Sequence, residues 1–442
     1  MKIRGLLIAT FIFIVLAGFL YYSNRHKPSD ETAKASAKAP SILKLDETSI
    51  NKLEIKKPGS PAIVLARNNS GNWQITEPKA FGADRSTVNG ALSSLSALNS
   101  QRVVEDKASD LQKFGLAQPA VEVEVGEKDN KTQKLLFGDS TPTGGAVYAM
   151  LAGDPRVFTI DSYSKNSVDK GLNDWRDKRL LTADPDKISR LELVRKNQTI
   201  EFGRNKDEWQ ILKPKPLRAD DSQVSQLIRT LTDARMDLSG SDADNKALAS
   251  AFAHATPVAT AKLTDESGGQ ELEVRKNKDD YYAKSSIVEG EYKVSSNLGT
   301  ALDKNLDDFR NKKLFDFGYD DPNKIELHAG SKAYYLTRSG EDWWSNGEKM
   351  DPGTVQTMVA KLRDLSASKF VDSGFKSPAA IEATVTSNDS KRVEKVSVSK
   401  SGNDYIAERE NETGLYQVDS SAVDDLQKAA DDIKPAAASP KK

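Results

Sequence analysis

Leu53-Glu54-Ile55, Leu191-Glu192-Leu193 and Ile325-Glu326-Leu327 are three spellings of one apolar-acidic-apolar triplet, spaced about 135 residues apart along a 442-residue chain. Each is followed by a short alternating run and a tryptophan, in the settings Asn72-Trp73-Gln74-Ile75, Glu208-Trp209-Gln210-Ile211 and Trp343-Trp344-Ser345-Asn346. Apolar-polar alternation predicts strands that bury one face. An acidic residue comes next, Asp84, Asp220 or Asp351, where a carboxylate can accept from the free N–H groups of a helix's first turn. Behind these caps, Val88, Leu92 and Leu95, then Val224, Leu227, Ile228 and Leu231, then Val355, Met358, Val359 and Leu362 fall on one helix face. Pro352 suits the first helical position, because its missing N–H would have had no partner there.

Strand patterns then return as Val121, Val123 and Val125, as Ala259, Ala261 and Leu263, and less cleanly as Ile381, Thr384 and Val385. Hairpin-like pairs follow around Tyr148 to Ile160, Tyr281 to Val294 and Tyr405 to Val418. The repeated unit is therefore strands, one amphipathic helix, more strands and a short closing helix. An antiparallel sheet with a helix packed on one face buries both patterns, so the predicted fold class is α+β in three tandem copies. The copies are predicted over residues 42–183, 184–319 and 320–434, with a disordered tail over 435–442.

Ahead of the copies, Gly5 to Tyr22 is an 18-residue run without a charge, long enough as a helix nearly to cross a hydrocarbon core of about 30 Å. Lys2 and Arg4 flank one end, and Tyr21, Tyr22, Arg25 and Lys27 the other. Residues 1–27 read as a transmembrane anchor and 28–41 as a flexible linker. A cleaved signal peptide is the competing reading, with Val15-Leu16-Ala17 as its site, but apolar residues continue past it. Long polar domains after a first span usually translocate, which places the copies outside the cytoplasmic membrane.

Composition narrows the chemistry. Cysteine is absent and only His26, His254 and His328 are present, which removes disulfides, thiolate metal sites and cysteine nucleophiles and leaves little room for histidine chemistry. Lys2, Arg4, Arg25 and Lys27 are the only charges in the first 27 residues, so a net −1 overall leaves the remainder at −5. Mild acidity disfavours both nucleic acid and anionic lipid as partners, since each demands a basic surface. No catalytic, cofactor or metal residue is predicted. Gly138 to Gly145 resembles a phosphate loop but lacks the Gly-Lys-Ser/Thr ending, so a hairpin turn is expected. Asp242-Ala243-Asp244-Asn245 resembles the start of a calcium loop, yet Ala253 stands where the closing glutamate belongs. Asp307-Asp308 and Asp320-Asp321 read as surface acid, and Trp73, Trp209, Trp343 and Trp344 as core.

The first copy closes on Asn173-Asp174-Trp175-Arg176-Asp177-Lys178 and the second on Asp307-Asp308-Phe309-Arg310-Asn311-Lys312, whereas the third has no such ending. Because the motif is missing where no further copy follows, Trp175 and Arg176 are expected to dock the first copy on the second, and Phe309 and Arg310 the second on the third. An arginine that binds an anionic ligand is the alternative.

Phe114-Gly115-Leu116, Leu136-Phe137-Gly138-Asp139, Tyr148-Ala149-Met150, Val157 to Asp161 and Leu172 to Lys178 together resemble the bacterial domain of unknown function family 4340, most clearly from about Leu45 to Leu181. The resemblance implies a single N-terminal span and an extracytoplasmic role accessory to ABC-type transport systems similar to gliding-motility components. It assigns no catalytic or ligand residues. The expected function is a non-enzymatic binding or assembly protein of the bacterial inner membrane with ABC-type subunits as partners. A carboxylate-dependent hydrolase or lyase of envelope polysaccharide and a structural spacer are the alternatives.

Overall fold

The computed structural model describes residues 42–128, 130–206, 208–239, 245–318 and 322–437. The predicted anchor and linker, the end of the tail, Asp242 to Asp244 and Asp320-Asp321 lie outside the described residues. Among those described, no helix is long and apolar enough to cross a membrane. The chain divides into two compact units that part between Asp177 and Lys178.

The first unit holds strands β1 (Ile50–Lys56), β2 (Ile63–Arg67), β3 (Trp73–Glu77) and β4 (Phe81–Gly82), helix α1 (Arg85–Ser96), and strands β5 (Arg102–Glu105), β6 (Val121–Glu127), β7 (Thr132–Ser140), β8 (Ala146–Leu151) and β9 (Val157–Asp161). They form one antiparallel sheet in the order β4-β3-β2-β1-β6-β7-β8-β9-β5. Two four-stranded meanders thus meet where β1 pairs with β6, and the helix between them covers one face. The second unit contains two more sheets that repeat this order from the β4 edge through to β9, so the predicted α+β repeat is present three times.

The triplets sit at that central seam. Leu53 faces Val125 and Ile55 faces Val123 in the first copy; Leu191 faces Leu263 and Leu193 faces Ala261 in the second; Ile325 faces Val385 and Leu327 faces Ala383 in the third. All six triplet side chains are buried with Trp73, Trp209 and Trp343 in three separate cores. The period of two sends the central glutamate to the opposite face. There Glu54 lies 2.8 Å from the Lys52 ammonium and 2.5 Å from that of Lys56, and the two lysines hold its carboxyl below the usual range.

Asp84 accepts from the Thr87 N–H, Asp220 from those of Ser222 and Gln223, and Asp351 from that of Thr354. The same aspartates receive the end of each copy. The Asp84 N–H donates to the Trp175 carbonyl at 2.7 Å, that of Asp220 to Phe309 at 2.8 Å and that of Asp351 to Lys434 at 2.9 Å. Two residues on, Asp177 N–H donates to Gly82, Asn311 to Arg218 and Ala436 to Lys349, so a strap returns beside the strand that precedes the helix. The third copy makes this strap from Lys434-Pro435-Ala436 without the aromatic-Arg motif.

The copies hand over earlier than the sequence boundaries place it. Leu180 and Leu181 are buried in the second core, and Leu314, Phe315 and Phe317 in the third. The Leu180 N–H donates to the Ala234 carbonyl and that of Leu314 to Leu365, so each residue is already paired with its new copy. A second departure concerns β5. The third sheet has its counterpart, Lys369–Val371, but the second sheet has none, and helix Asn245–His254 packs against strands Gly268–Asn277, Asp280–Ser285 and Glu291–Val294 instead.

Asp220→Ala removes an acceptor shared by two first-turn N–H groups, and should lower stability by about 1 kcal/mol, read as a shifted urea midpoint at unchanged m-value.

Candidate functional site

Trp175 is fully buried within the first core, and the guanidinium carbon of Arg176 lies 3.8 Å from the centre of the Phe81 ring, so both contacts belong to the first copy. Phe309 is likewise enclosed by its own core, where it meets Phe202 edge-on at 5.2 Å. Arg310 behaves differently. Leu217 occupies the place that Phe81 has in the first copy. Arg310 instead lies over the Phe370 ring of the third copy at 3.4 Å, with Asp307 3.1 Å from its Nη1. Of the second pair, the aromatic ring completes its own copy and the arginine touches the next.

Beside Arg310 the second and third copies share a half-buried charged cluster. Arg218 donates from Nη1 to Asp316 Oδ2 and from Nη2 to the Lys313 carbonyl at 2.6 Å and the Tyr416 hydroxyl at 3.2 Å, while its Nε lies 2.7 Å from Glu412 Oε1. Arg409 donates from Nε to Glu412 at 2.7 Å, from Nη2 to Glu394 at 3.0 Å and from Nη1 to the Leu314 carbonyl. Glu394 also accepts from the Asp316 N–H. Burial alone would depress the Arg218 guanidinium, but Asp316, Tyr416 and Glu412 outweigh it and hold the proton more firmly than usual. Burial raises the Tyr416 hydroxyl above its ordinary range, helped by Glu412, which accepts its proton, and opposed by Arg218. Two guanidinium groups thus face three carboxylates. These cations and carboxylates are spent on one another across the two copies, so the cluster joins the second copy to the third.

The glycine-rich stretch of the first copy is a packing device. A side chain on Gly138 would stand 2.1 Å from the Phe114 carbonyl oxygen, and one on Gly115, at φ +66°, would stand 2.5 Å from the Asp139 carboxylate. Phe114 meets Tyr148 edge-on at 5.0 Å, and Leu116 and Val157 complete a small second core with Leu136 and Met150 around it. The scattered motifs Phe114-Gly115-Leu116, Phe137-Gly138-Asp139 and Tyr148-Ala149-Met150 therefore meet at one place, and the hairpin turn expected from the sequence follows β7 directly.

These motifs fall within the family described as Domain of unknown function (DUF4340), whose pattern matches residues 73–216 and 209–383. The chain belongs to that family. Both matched segments begin at the core tryptophan, Trp73 or Trp209, so the family pattern in DUF4340 runs from the middle of one copy into the next and is out of phase with the folded units. No curated protein matches the chain. Among solved structures, a DNA polymerase sliding clamp from Pseudomonas aeruginosa is similar at 9% identity over 86% of this chain and 93% of that one, with a TM-score of 0.17. A likeness at that level carries no argument.

The remaining DUF4340 residues singled out in the sequence are dispersed. Asp307 is paired with Arg310, while Asp308 turns back to accept from the Asn305 N–H at 2.7 Å, so the adjacent acids do not face one site. Among the described residues no group of three or more His, Asp or Glu could hold a metal ion. Trp344 departs from the expectation of core packing: it stands 38% exposed on the solvent face, opposite Thr337, at the position that Gln74 and Gln210 hold in the other copies. The Arg218 cluster escaped the sequence reading because its members come from four separate stretches of sequence, around residues 218, 313–316, 394 and 409–416.

Two outcomes follow from this geometry. Gly138→Ala pushes a methyl into a backbone carbonyl that cannot swing aside, and should cost about 1–3 kcal/mol in chemical unfolding of the first unit. Arg218→Ala removes one of the two guanidinium groups of the cluster, leaving Asp316 and Glu412 to Arg409 alone, and should cost about 3–5 kcal/mol, whereas Arg310→Ala, which loses a stacking contact, should cost about 1–2 kcal/mol. Calorimetry of the two variants should show the second and third copies unfolding separately in Arg218→Ala.

Proposed function

We propose that this DUF4340 protein is a single-span, membrane-anchored extracytoplasmic protein without enzymatic activity, whose copies present a binding or assembly surface to an inner-membrane complex of the ABC-type export or gliding-motility kind. The observation that carries the anchoring is the charge-free run from Gly5 to Tyr22, followed by a polar linker rich in Ala, Lys and Ser and then by the folded copies. The binding role is supported by how the polar groups are used. The densest ionisable cluster, around Arg218, is closed on itself and holds two copies together, which suits a scaffold better than a hydrolase needing two free carboxyls in one cleft. The partner class comes from the family resemblance.

Full-length protein purified by affinity tag from its native membrane should bring down permease or ATPase subunits identified by mass spectrometry, and a fragment of residues 41–434 should retain them weakly or not at all. A clean monomer in both preparations would refute the accessory role.

A further inference from the structure

In the second copy, Arg195, Lys196, Lys276 and Lys278 line one open cleft of about 570 Å³, together with the amide side chains of Asn197, Gln198 and Asn305. Asp303 is the one acidic residue in its wall, and Arg195 neutralises it: Nη2 donates to Asp303 Oδ1 at 2.7 Å, while Nη1 donates to the Lys304 carbonyl at 2.7 Å. This clamp is part of the repeat. In the first copy Lys57 does the same, with Asp169 at 3.2 Å and the Lys170 carbonyl at 3.0 Å.

Lys196 and Lys278 are the second copy's own, whereas the place of Lys276, opposite Tyr281, is lysine again in the third copy as Lys400, opposite Tyr405. The equivalent hairpin of the first copy reads Lys57-Pro58-Gly59-Ser60. That of the third reads Ala329-Gly330-Ser331-Lys332, and its lysine is committed to Asp431 at 2.6 Å. Among the described residues, Lys196, Lys276 and Lys278 have no carboxylate partner. Lys276 is held from below: its ammonium lies 5.2 Å from the centre of the Tyr281 ring, and that ring rests on Gly299, where a side chain would approach it to 2.0 Å. The folded chain beyond the first 27 residues is net acidic, so three unpaired ammonium groups around one concavity are a local exception that focuses positive potential.

We propose that this cleft binds a phosphate-bearing ligand, its oxygens taken by the ammonium groups of Lys196, Lys276 and Lys278 and by the neighbouring amides. Lysines act as point charges on phosphate without demanding the planar fork of arginine. Two sources offer that chemistry, a soluble phosphate monoester and the phosphodiester of a lipid headgroup. The site rests on the cleft alone and is independent of the anchoring and partner assignments above.

The test is isothermal titration of detergent-solubilised full-length protein at low ionic strength with glycerol 3-phosphate and, separately, with glycerophosphoglycerol. At least one should bind saturably, weaken with added salt, and lose about tenfold or more in affinity in Lys276→Glu and in Lys196→Glu. Tighter binding of the monoester assigns a soluble ligand, and tighter binding of the diester a headgroup. Lys196 lies on an exposed hairpin, so Lys196→Glu keeps the test valid where Lys276→Glu disturbs the fold. Absence of binding by both compounds, or equal affinity in wild type and Lys196→Glu, would overturn the proposal.

Discussion

Each copy depends on one pairing between strands far apart in sequence, the seam at which the opening strand meets the strand that restarts after the helix. Leu53 against Val125, Leu191 against Leu263 and Ile325 against Val385 join two meanders that would otherwise be separate four-stranded ribbons with one wet face each. The seam can form only after the helix and its flanking loops have been closed, an entropic cost that local hairpins do not carry. Its apolar residues are accordingly among the most completely buried of the chain, and its register sets which face of each sheet the helix covers.

A second constraint is economical. One aspartate per copy terminates the strand before the helix, caps the helix and receives the returning strap through its own N–H. The N-terminal end of the helix, the edge of the sheet and the end of the copy are thereby tied at a single residue. The strap also covers what would be an open sheet edge, which is the usual site of unwanted strand pairing. The third copy performs the same closure with Lys434-Pro435-Ala436, so the backbone pairing is what the architecture requires. The aromatic-Arg pair adds packing to it.

Much of this was legible. The triplets, the caps and the core tryptophans repeat because burial and helix capping act through fixed local periods, and three copies let each be checked against the others. What stayed hidden has a common cause. Trp344 carries the same letter as its buried neighbour Trp343, and only the parity of the strand separates them. The helix that replaces β5 in the second copy lies in an alanine-rich stretch of good helix propensity, but it has no counterpart in the other two copies against which it could be checked. The cations of the second-copy cleft are brought together from a hairpin and a distant turn, and no window of sequence contains them.

The junction of the second and third copies shows why a repeat protein would bury charge there. Its surfaces belong to copies of one repeated fold, so apolar matching alone does little to tell the right pairing from a wrong one. A buried ion cluster gains little over an apolar replacement of the same volume, but a cation facing the wrong partner loses several kcal/mol at once. The placement is suited to that use. Arg218 stands where the first copy has Gly82 and the third has Lys349, and the carboxylates it meets, Asp316 and Glu412, belong to the segment leading into the third copy and to the third copy itself. Donor and acceptors thus occur once each along the chain, and they can be satisfied together only when these two copies meet in the observed order.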